Sequence, residues 1–182
     1  MASHIYLVAS LPTLMPDRAP SLSLAEYLEI CQRHVTPFEF DQLVGARIDD
    51  HETPAGTPTY GAWRDFDGDL REQLLVLRAL ALGWDATSFT RRDRPVPVTE
   101  PVRAAFEEPD PLLAEQAVFR LRWKFLDELD RAHFMRSENL IVYGLKLQLI
   151  EHLLAASQER GQRKLDEIRC SFAATLPDWA TE

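Results

Sequence analysis

The sequence is poor in the motifs that identify most enzymes. Its seven glycines are scattered, and they form neither the phosphate-binding pattern G-x-x-x-x-G-K-[ST] nor the dinucleotide-binding pattern G-x-G-x-x-G. The zinc-protease pattern H-E-x-x-H, the hydrolase pattern G-x-S-x-G and the redox pattern C-x-x-C do not occur either. The enzyme classes that rely on these motifs are therefore excluded, and we expect no catalytic residue and no cofactor.

Cysteine and long apolar runs are also scarce. Cys31 and Cys170 are the two cysteines, and their distance along the chain favours two reduced thiols that fill the core. No apolar run reaches the roughly 20 residues that a membrane-spanning helix needs, and no signal peptide opens the chain. We therefore expect a cytoplasmic protein that does not insert into a membrane.

The charge balance limits the kinds of partner. The chain of 182 residues has a formal net charge of -9 and is 46% hydrophobic. Nucleic acids and anionic membrane surfaces require a basic face, so we expect neither as a direct partner. Proteins remain the predicted class of partner.

The periodicity of apolar residues predicts an all-α fold. No pair of alternating strands and no hairpin turn is evident, and the length suits a single domain over residues 1–182. We expect about six helices built around a central antiparallel hairpin at residues 111–156. Asp110 and Pro111 suit the start of its first helix, and Ser137 is the predicted cap of its second.

The second helix of the hairpin is apolar around most of its circumference, which is typical of a central helix. Only Gln148, Glu151 and His152 form a narrow polar strip. Near the start of the chain, residues 5–11 are apolar and fit either a strand or a helix.

The remaining elements follow from capping and turn signals. Ser23 with Glu26, and Thr36 with Glu39, match the capping box of a helix start. Four further elements are predicted: a loop at 50–61, a helix at 63–82 that ends at Gly83, a Pro-rich irregular segment at 84–109 with a short helix at 101–108, and a last helix around 165–172.

Two groups of residues contain potential metal ligands. Residues 49–52 put two aspartates, a histidine and a glutamate side by side in a loop, where their side chains would point apart. Asp130 and His133 lie on one hairpin helix and Glu151 and His152 on the other, but a helical di-metal site needs two Glu-x-x-His motifs. We predict no metal site, and a helical metal protein or enzyme of unknown activity stays as an alternative.

The candidate protein-contact residues are Trp84, Arg91, Arg92, Arg94, Arg122 and Lys146. The first four lie in the long Pro-rich segment, and a connection of this length in a compact domain is usually functional or mobile. Arg122 and Lys146 lie within apolar arcs of the hairpin helices. One interpretation is that their charged groups bind an acidic group of a partner. The other is that the aliphatic parts of the side chains pack against apolar neighbours, while the charged groups reach solvent or pair with Glu115 or Glu138.

Several short segments of the sequence together resemble, in the same order, an uncharacterised bacterial family encoded beside V/A-type ATPase subunits. They cover about half of the chain: YLVASLP at 6–12, EYLEIC at 26–31, LRxxLxxLRA at 70–79, DP at 110–111, LRW at 121–123, FLDEL at 125–129, NL at 139–140 and YxLKLQ at 143–148, where x is any residue. The chain resembles this family, which is distantly similar to the helical C (or d) subunit of the ATPase. Residues 22–28 (LSLAEYL) resemble part of the sequence of the first helix of that subunit.

The resemblance implies a non-catalytic component or accessory of a proton- or sodium-transporting V/A-type ATPase. The C subunit lies between the membrane rotor ring and the central shaft, so a rotor adaptor is the strongest form of this hypothesis. The chain is much shorter than the three-lobed subunit, which leaves a transient assembly or regulatory factor as the alternative. Either role implies ATPase subunits as partners and association with the inner membrane only through the complex.

Overall fold

The chain is all-α, as the sequence predicts. The structure is a computed structural model, and it describes residues 2–50, 56–85, 96–133 and 136–155. This part of the chain holds seven helices and no strand: α1 (Ala2–Ser10), α2 (Leu24–Gln32), α3 (Pro37–Gly45), α4 (Pro58–Ala81), α5 (Glu100–Glu107), α6 (Pro111–Ala132) and α7 (Ser137–Ala155). The predicted last helix around 165–172 and Cys170 lie outside the described residues.

The hairpin of α6 and α7 forms the centre of the fold. In α7 the residues from Asn139 to Ile150 are buried with only Tyr143 and Gln148 partly exposed, so the whole circumference of the helix is covered. Helices α1, α2, α3, α4 and α6 all pack against it. A helix that buries consecutive residues rather than one stripe has to lie inside the domain.

Most helix starts follow the predicted capping chemistry. Ser23 and Thr36 complete capping boxes with glutamates three residues on. The Asp110 carboxylate accepts hydrogen bonds from the backbone N–H groups of Leu112 and Leu113 at the start of α6. Hydrogen bonds from the backbone N–H and the hydroxyl of Ser23 lower the pKa of Glu26, because they favour its charged form.

Two helix starts differ from the sequence-based expectation, and two further expectations are decided by the structure. Helix α4 begins at Pro58, not at 63, because Thr57 caps it and Pro58 suits its first turn, so the predicted loop at 50–61 is too long. Residues 5–10 belong to α1 and Leu11 follows the end of the helix, so this apolar segment is a helix and not a strand. The short helix expected at 101–108 is α5, and Ser137 is the first residue of α7 rather than its cap.

Two apolar clusters hold the helices together. The larger surrounds α7, and its members include Tyr27, Trp63 and Leu126. The smaller joins α4, α5 and α6 through Leu70, Leu77, Val102, Ala105 and Val118. Phe66 packs against both clusters, and its ring stacks on Phe125 with 4.0 Å between the ring centroids.

The polar side chains of α7 bind backbone groups of the connections around it. Gln148 donates through Nε2 to the Ala46 carbonyl at 2.8 Å and accepts through Oε1 from the Ile48 N–H at 3.1 Å. Glu151 Oε1 accepts from the Leu24 N–H at 2.8 Å, which satisfies a donor at the start of α2. Two members of the predicted polar strip therefore fix neighbouring segments.

Gly144 provides a test of the packing around α7. A methyl group at this position would lie 3.3 Å from Cε1 of Tyr27, a buried residue whose hydroxyl donates to the Leu140 carbonyl at 2.6 Å. We expect Gly144→Ala to lower the free energy of unfolding by about 1 kcal/mol, because crowding outweighs the helix propensity of alanine. Urea denaturation followed by circular dichroism measures it.

The matched control is Gly45→Ala at the end of α3, where an added methyl group meets no atom within 4 Å. This variant should be as stable as the parent protein or more stable by up to about 1 kcal/mol. Equal stability of the two alanine variants would contradict the close approach of α2 and α7.

Candidate protein-contact surfaces

The predicted contact residues do not form one surface in the described part of the chain. Arg91, Arg92 and Arg94 lie outside the described residues. Trp84 lies at the end of α4, whereas Arg122 and Lys146 lie on the hairpin and bind carboxylates of this chain. The predicted site therefore divides into one exposed region and two internal ion-pair clusters.

The end of α4 holds Trp84 in a fixed backbone conformation. Gly83 has a φ of +69°, its N–H donates to the Leu80 carbonyl at 3.1 Å, and the Trp84 N–H donates to the Ala79 carbonyl at 2.8 Å. These two hydrogen bonds form the Schellman motif, which satisfies carbonyl groups that the helix end leaves unpaired. The prediction that Gly83 ends this helix is confirmed.

Three large apolar side chains are exposed at this helix end. The exposed fractions are 62% for Leu80, 61% for Leu82 and 58% for Trp84. We call these three residues the α4-end patch. Exposed tryptophan and leucine side chains at one helix end, on a backbone that is already fixed, are typical of a protein contact.

Asp67 forms the first internal cluster. Its side chain is fully buried, with Arg122 Nε 2.7 Å from Oδ1 and Arg71 Nε 2.7 Å from Oδ2. Arg71 also donates through Nη2 to the Ile48 carbonyl at 3.1 Å. The Asp67 carboxylate thus connects α4 to α6 and to the segment before α4, and neither Glu115 nor Glu138 is the partner of Arg122.

Lys146 forms the second internal cluster. Its ammonium group lies 2.8 Å from Oδ1 of Asp127, 3.1 Å from Oδ2 of Asp130 and 5.5 Å from the centre of the Trp123 ring. Asn139 donates through Nδ2 to Oδ1 of the same Asp130 at 2.7 Å. Lys146 therefore pairs with aspartates of α6, and its charge links the two helices of the hairpin.

A groove with two arginines lies between α6, α7 and the connection that follows α1. Its volume is about 440 Å³, and its floor is apolar. We call it the arginine groove, and define it by Arg18, Arg120, Phe119, Ile150, Leu153 and Leu154. Sequence reasoning did not find it, although one signal was available: Arg120 has Gln116 and Lys124 at four-residue spacing, so no carboxylate on its own helix pairs with it.

The potential metal ligands have other roles in the described part of the chain. His133 Nε2 lies 3.2 Å from the Thr59 hydroxyl, Asp130 binds Lys146, and Glu151 binds the start of α2. Among the described residues, no group of three histidine, cysteine, aspartate or glutamate side chains could hold a metal ion. Of residues 49–52, His51 and Glu52 lie outside the described residues.

Tyr27 and Cys31 of α2 and Tyr143 of α7 form a polar cluster, in which Tyr27 and Cys31 are buried and Tyr143 is partly exposed. Burial is the main cause that raises the pKa of all three groups, and it raises the pKa of Tyr143 to about 12. Cys31 is a free buried thiol. A thiol with a raised pKa is a poor nucleophile, so this cluster serves packing rather than redox chemistry.

No family model, no curated protein and no solved structure matches this chain. Within the described ranges, no helix has both the length and the apolar character needed to cross a bilayer. A functional assignment therefore depends on the surfaces described above and on the resemblance noted in the sequence.

Asp67→Ala tests whether the first cluster stabilises the fold. The substitution leaves the guanidinium of Arg122, which is largely buried, without a counter-charge, so we expect the free energy of unfolding to fall by about 3 kcal/mol. Thermal and urea unfolding measure the change. Asp65→Ala, at an exposed aspartate of the same helix, should change stability by no more than about 0.5 kcal/mol. A loss under about 1 kcal/mol at Asp67 would contradict the proposed role.

The raised pKa of Tyr143 predicts how the free energy of unfolding changes at alkaline pH. Its pKa is about 12 in the folded protein, above the ordinary tyrosine value of 10.0, so folding favours the neutral phenol. The resulting stability is complete below pH 10 and is lost as pH rises toward 12. Because this group is partly exposed, we expect a loss of only about 1 kcal/mol between pH 9 and pH 11.

Urea denaturation at the two pH values measures this loss. Tyr143→Phe should reduce the difference between the two midpoints, whereas Tyr6→Phe, at an exposed tyrosine of α1, should leave it as in the parent protein. An unchanged difference in the Tyr143 variant would show that other groups cause the alkaline loss.

Proposed function

We propose that this protein is a non-catalytic component or accessory of a bacterial V/A-type ATPase, and that it binds the complex through the α4-end patch. In its strongest form the proposal is a rotor adaptor between the membrane ring and the central shaft. The observation that carries the protein-contact role is the exposure of Leu80, Leu82 and Trp84, which are each more than half exposed at one helix end. The sequence resemblance supplies the identity of the partner.

The backbone of the patch supports a role in binding. The Schellman motif fixes Trp84 before any partner arrives, so binding does not have to order this part of the chain. Large apolar side chains that are already positioned contribute most of the energy of typical protein interfaces. The patch also adjoins the Pro-rich segment that contains the three arginines of the sequence-based prediction.

The helical body behind the patch suits a protein that transmits force. Helix α4 is 24 residues long and packs along α6, and the Asp67 ion pairs connect the two helices. Buried Glu72 and Gln73 on α4 accept hydrogen bonds from the Val96 and Thr99 N–H groups, which fix the segment before α5. A load applied at the α4 end would therefore reach the central hairpin.

The proposal is tested by purifying the tagged full chain from its own cells in mild detergent. Quantitative mass spectrometry then gives the copy number of every subunit that is recovered. Rotor-ring and shaft subunits with one copy of this chain per complex would support the adaptor. Low occupancy would support the transient assembly or regulatory factor, and recovery of no ATPase subunit would refute both forms.

Variants of the patch connect the proposal to the structure. Leu80→Ser with Trp84→Ala should lower the recovery of ATPase subunits at least about tenfold, because two buried anchors of the interface are lost. Leu113→Ser, at a comparably exposed leucine on α6, is the matched control and should keep normal recovery. Normal recovery with the patch variant, at unchanged thermal stability, would assign the contact to another surface.

A further inference from the structure

The arginine groove has a floor of packed side chains and a solvent-exposed rim. Phe119 and Ile150 are buried beneath it, Leu153 is partly buried, and Leu154 at its edge is 45% exposed. Its volume of about 440 Å³ lies within the range of about 300–1,000 Å³ that is usual for binding pockets. The floor residues come from two helices of the rigid hairpin, so the groove is already formed.

The two arginines on the rim do not bind carboxylates in the part of the chain that the structure describes. Arg18 and Arg120 are both exposed, whereas Arg33, Arg47 and Arg103 elsewhere on the surface each lie within 4.0 Å of a carboxylate. Asp17 also lines the groove, so its three charged side chains have a net charge of about +1. This is a local reversal of sign on a chain whose net charge is -9.

The charge of the rim and the apolar floor together define the occupant. A basic or neutral segment would leave both guanidinium groups without a partner, whereas carboxylates at the edges of an apolar face would pair with them. An amphipathic helix presents this pattern, with apolar residues at i, i+3, i+4 and i+7 between polar flanks. The remaining surface is acidic overall and would repel such a helix. The helix would therefore bind at the groove rather than elsewhere on the protein.

We propose that the arginine groove binds an acidic amphipathic helix of a partner protein. This inference rests on the proposed function in one respect, since it expects the helix to belong to a subunit of the V/A-type ATPase. The apolar face of the helix would cover Leu153 and Leu154. Its carboxylates would pair with Arg18 on one side and Arg120 on the other.

Site-specific photo-crosslinking in the full tagged chain tests the groove. The crosslinking amino acid p-benzoylphenylalanine is placed at Leu154, and in a control protein at Leu113, which has a similar exposed fraction of 47% and lies outside the groove. After irradiation of the producing cells, mass spectrometry identifies the crosslinked segment. We expect the Leu154 protein to link to a segment with helical apolar spacing and flanking carboxylates, and the Leu113 protein not to link to it.

Charge reversal separates specific binding from mere proximity. Arg18→Glu with Arg120→Glu should lower the yield of the Leu154 crosslink at least about tenfold, and replacing two flanking carboxylates of the partner segment by lysine should restore it. Arg33→Glu, at an exposed arginine outside the groove, should leave the yield unchanged. All variants should keep the melting temperature of the parent protein within about 2 °C, since they change exposed side chains.

Several outcomes would overturn the inference. The first group is a Leu154 crosslink only to residues 156–182 of the same chain, to a second copy of the chain, or to a neutral or basic segment. The second is the absence of any Leu154 crosslink. The third is a crosslink whose yield does not change when Arg18 and Arg120 are replaced by glutamate. The two proposals fail separately. Recovery of no ATPase subunit, together with a Leu154 crosslink to an acidic helix of another protein, would keep the groove and refute the proposed complex. Recovery of the ATPase without a Leu154 crosslink would keep the complex and refute the groove.

Discussion

The Asp67 carboxylate is fully buried, and two guanidinium groups that lie 2.7 Å from its oxygens offset the cost of burying its charge. One of these arginines is on the same helix, four residues away, and the other is on α6. Asp67 lies on α4 between Trp63 of the larger apolar cluster and Leu70 of the smaller one. The ion pairs therefore fix the relative position of α4 and α6 at the point where the two clusters meet.

A similar use of polar groups recurs around the central helix. Lys146 binds two aspartates of α6, Gln148 binds both an N–H and a carbonyl group of the connection after α3, and Glu151 binds the start of α2. An apolar helix alone would allow several packing arrangements of similar energy. Directional bonds from its few polar residues select one arrangement, which leaves the α4 end and the arginine groove exposed in defined geometry.

Local chemistry predicted much of this fold. The helix starts at Ser23, Thr36 and Asp110 depend on hydrogen bonds to neighbours within three positions, and the helix end at Gly83 depends on one backbone angle. These helix ends could therefore be predicted from the sequence alone. The start of α4 was misplaced because threonine and proline suit both a turn and a helix start. Asp67 was missed for another reason: its partner Arg122 is 55 residues away, and a mid-helix aspartate ordinarily faces solvent. The groove was missed because three separate segments form it.

In the proposed complex, the helical body binds its partner through the α4 end. Hydrogen–deuterium exchange of the full chain, free and in complex with the V/A-type ATPase, would detect this contact. We expect slower exchange in the complex at residues 78–84, where the exposed helix end should open readily in the free protein, and unchanged exchange in the already buried core of α7. Equal exchange at 78–84 in the free and bound chain would contradict it.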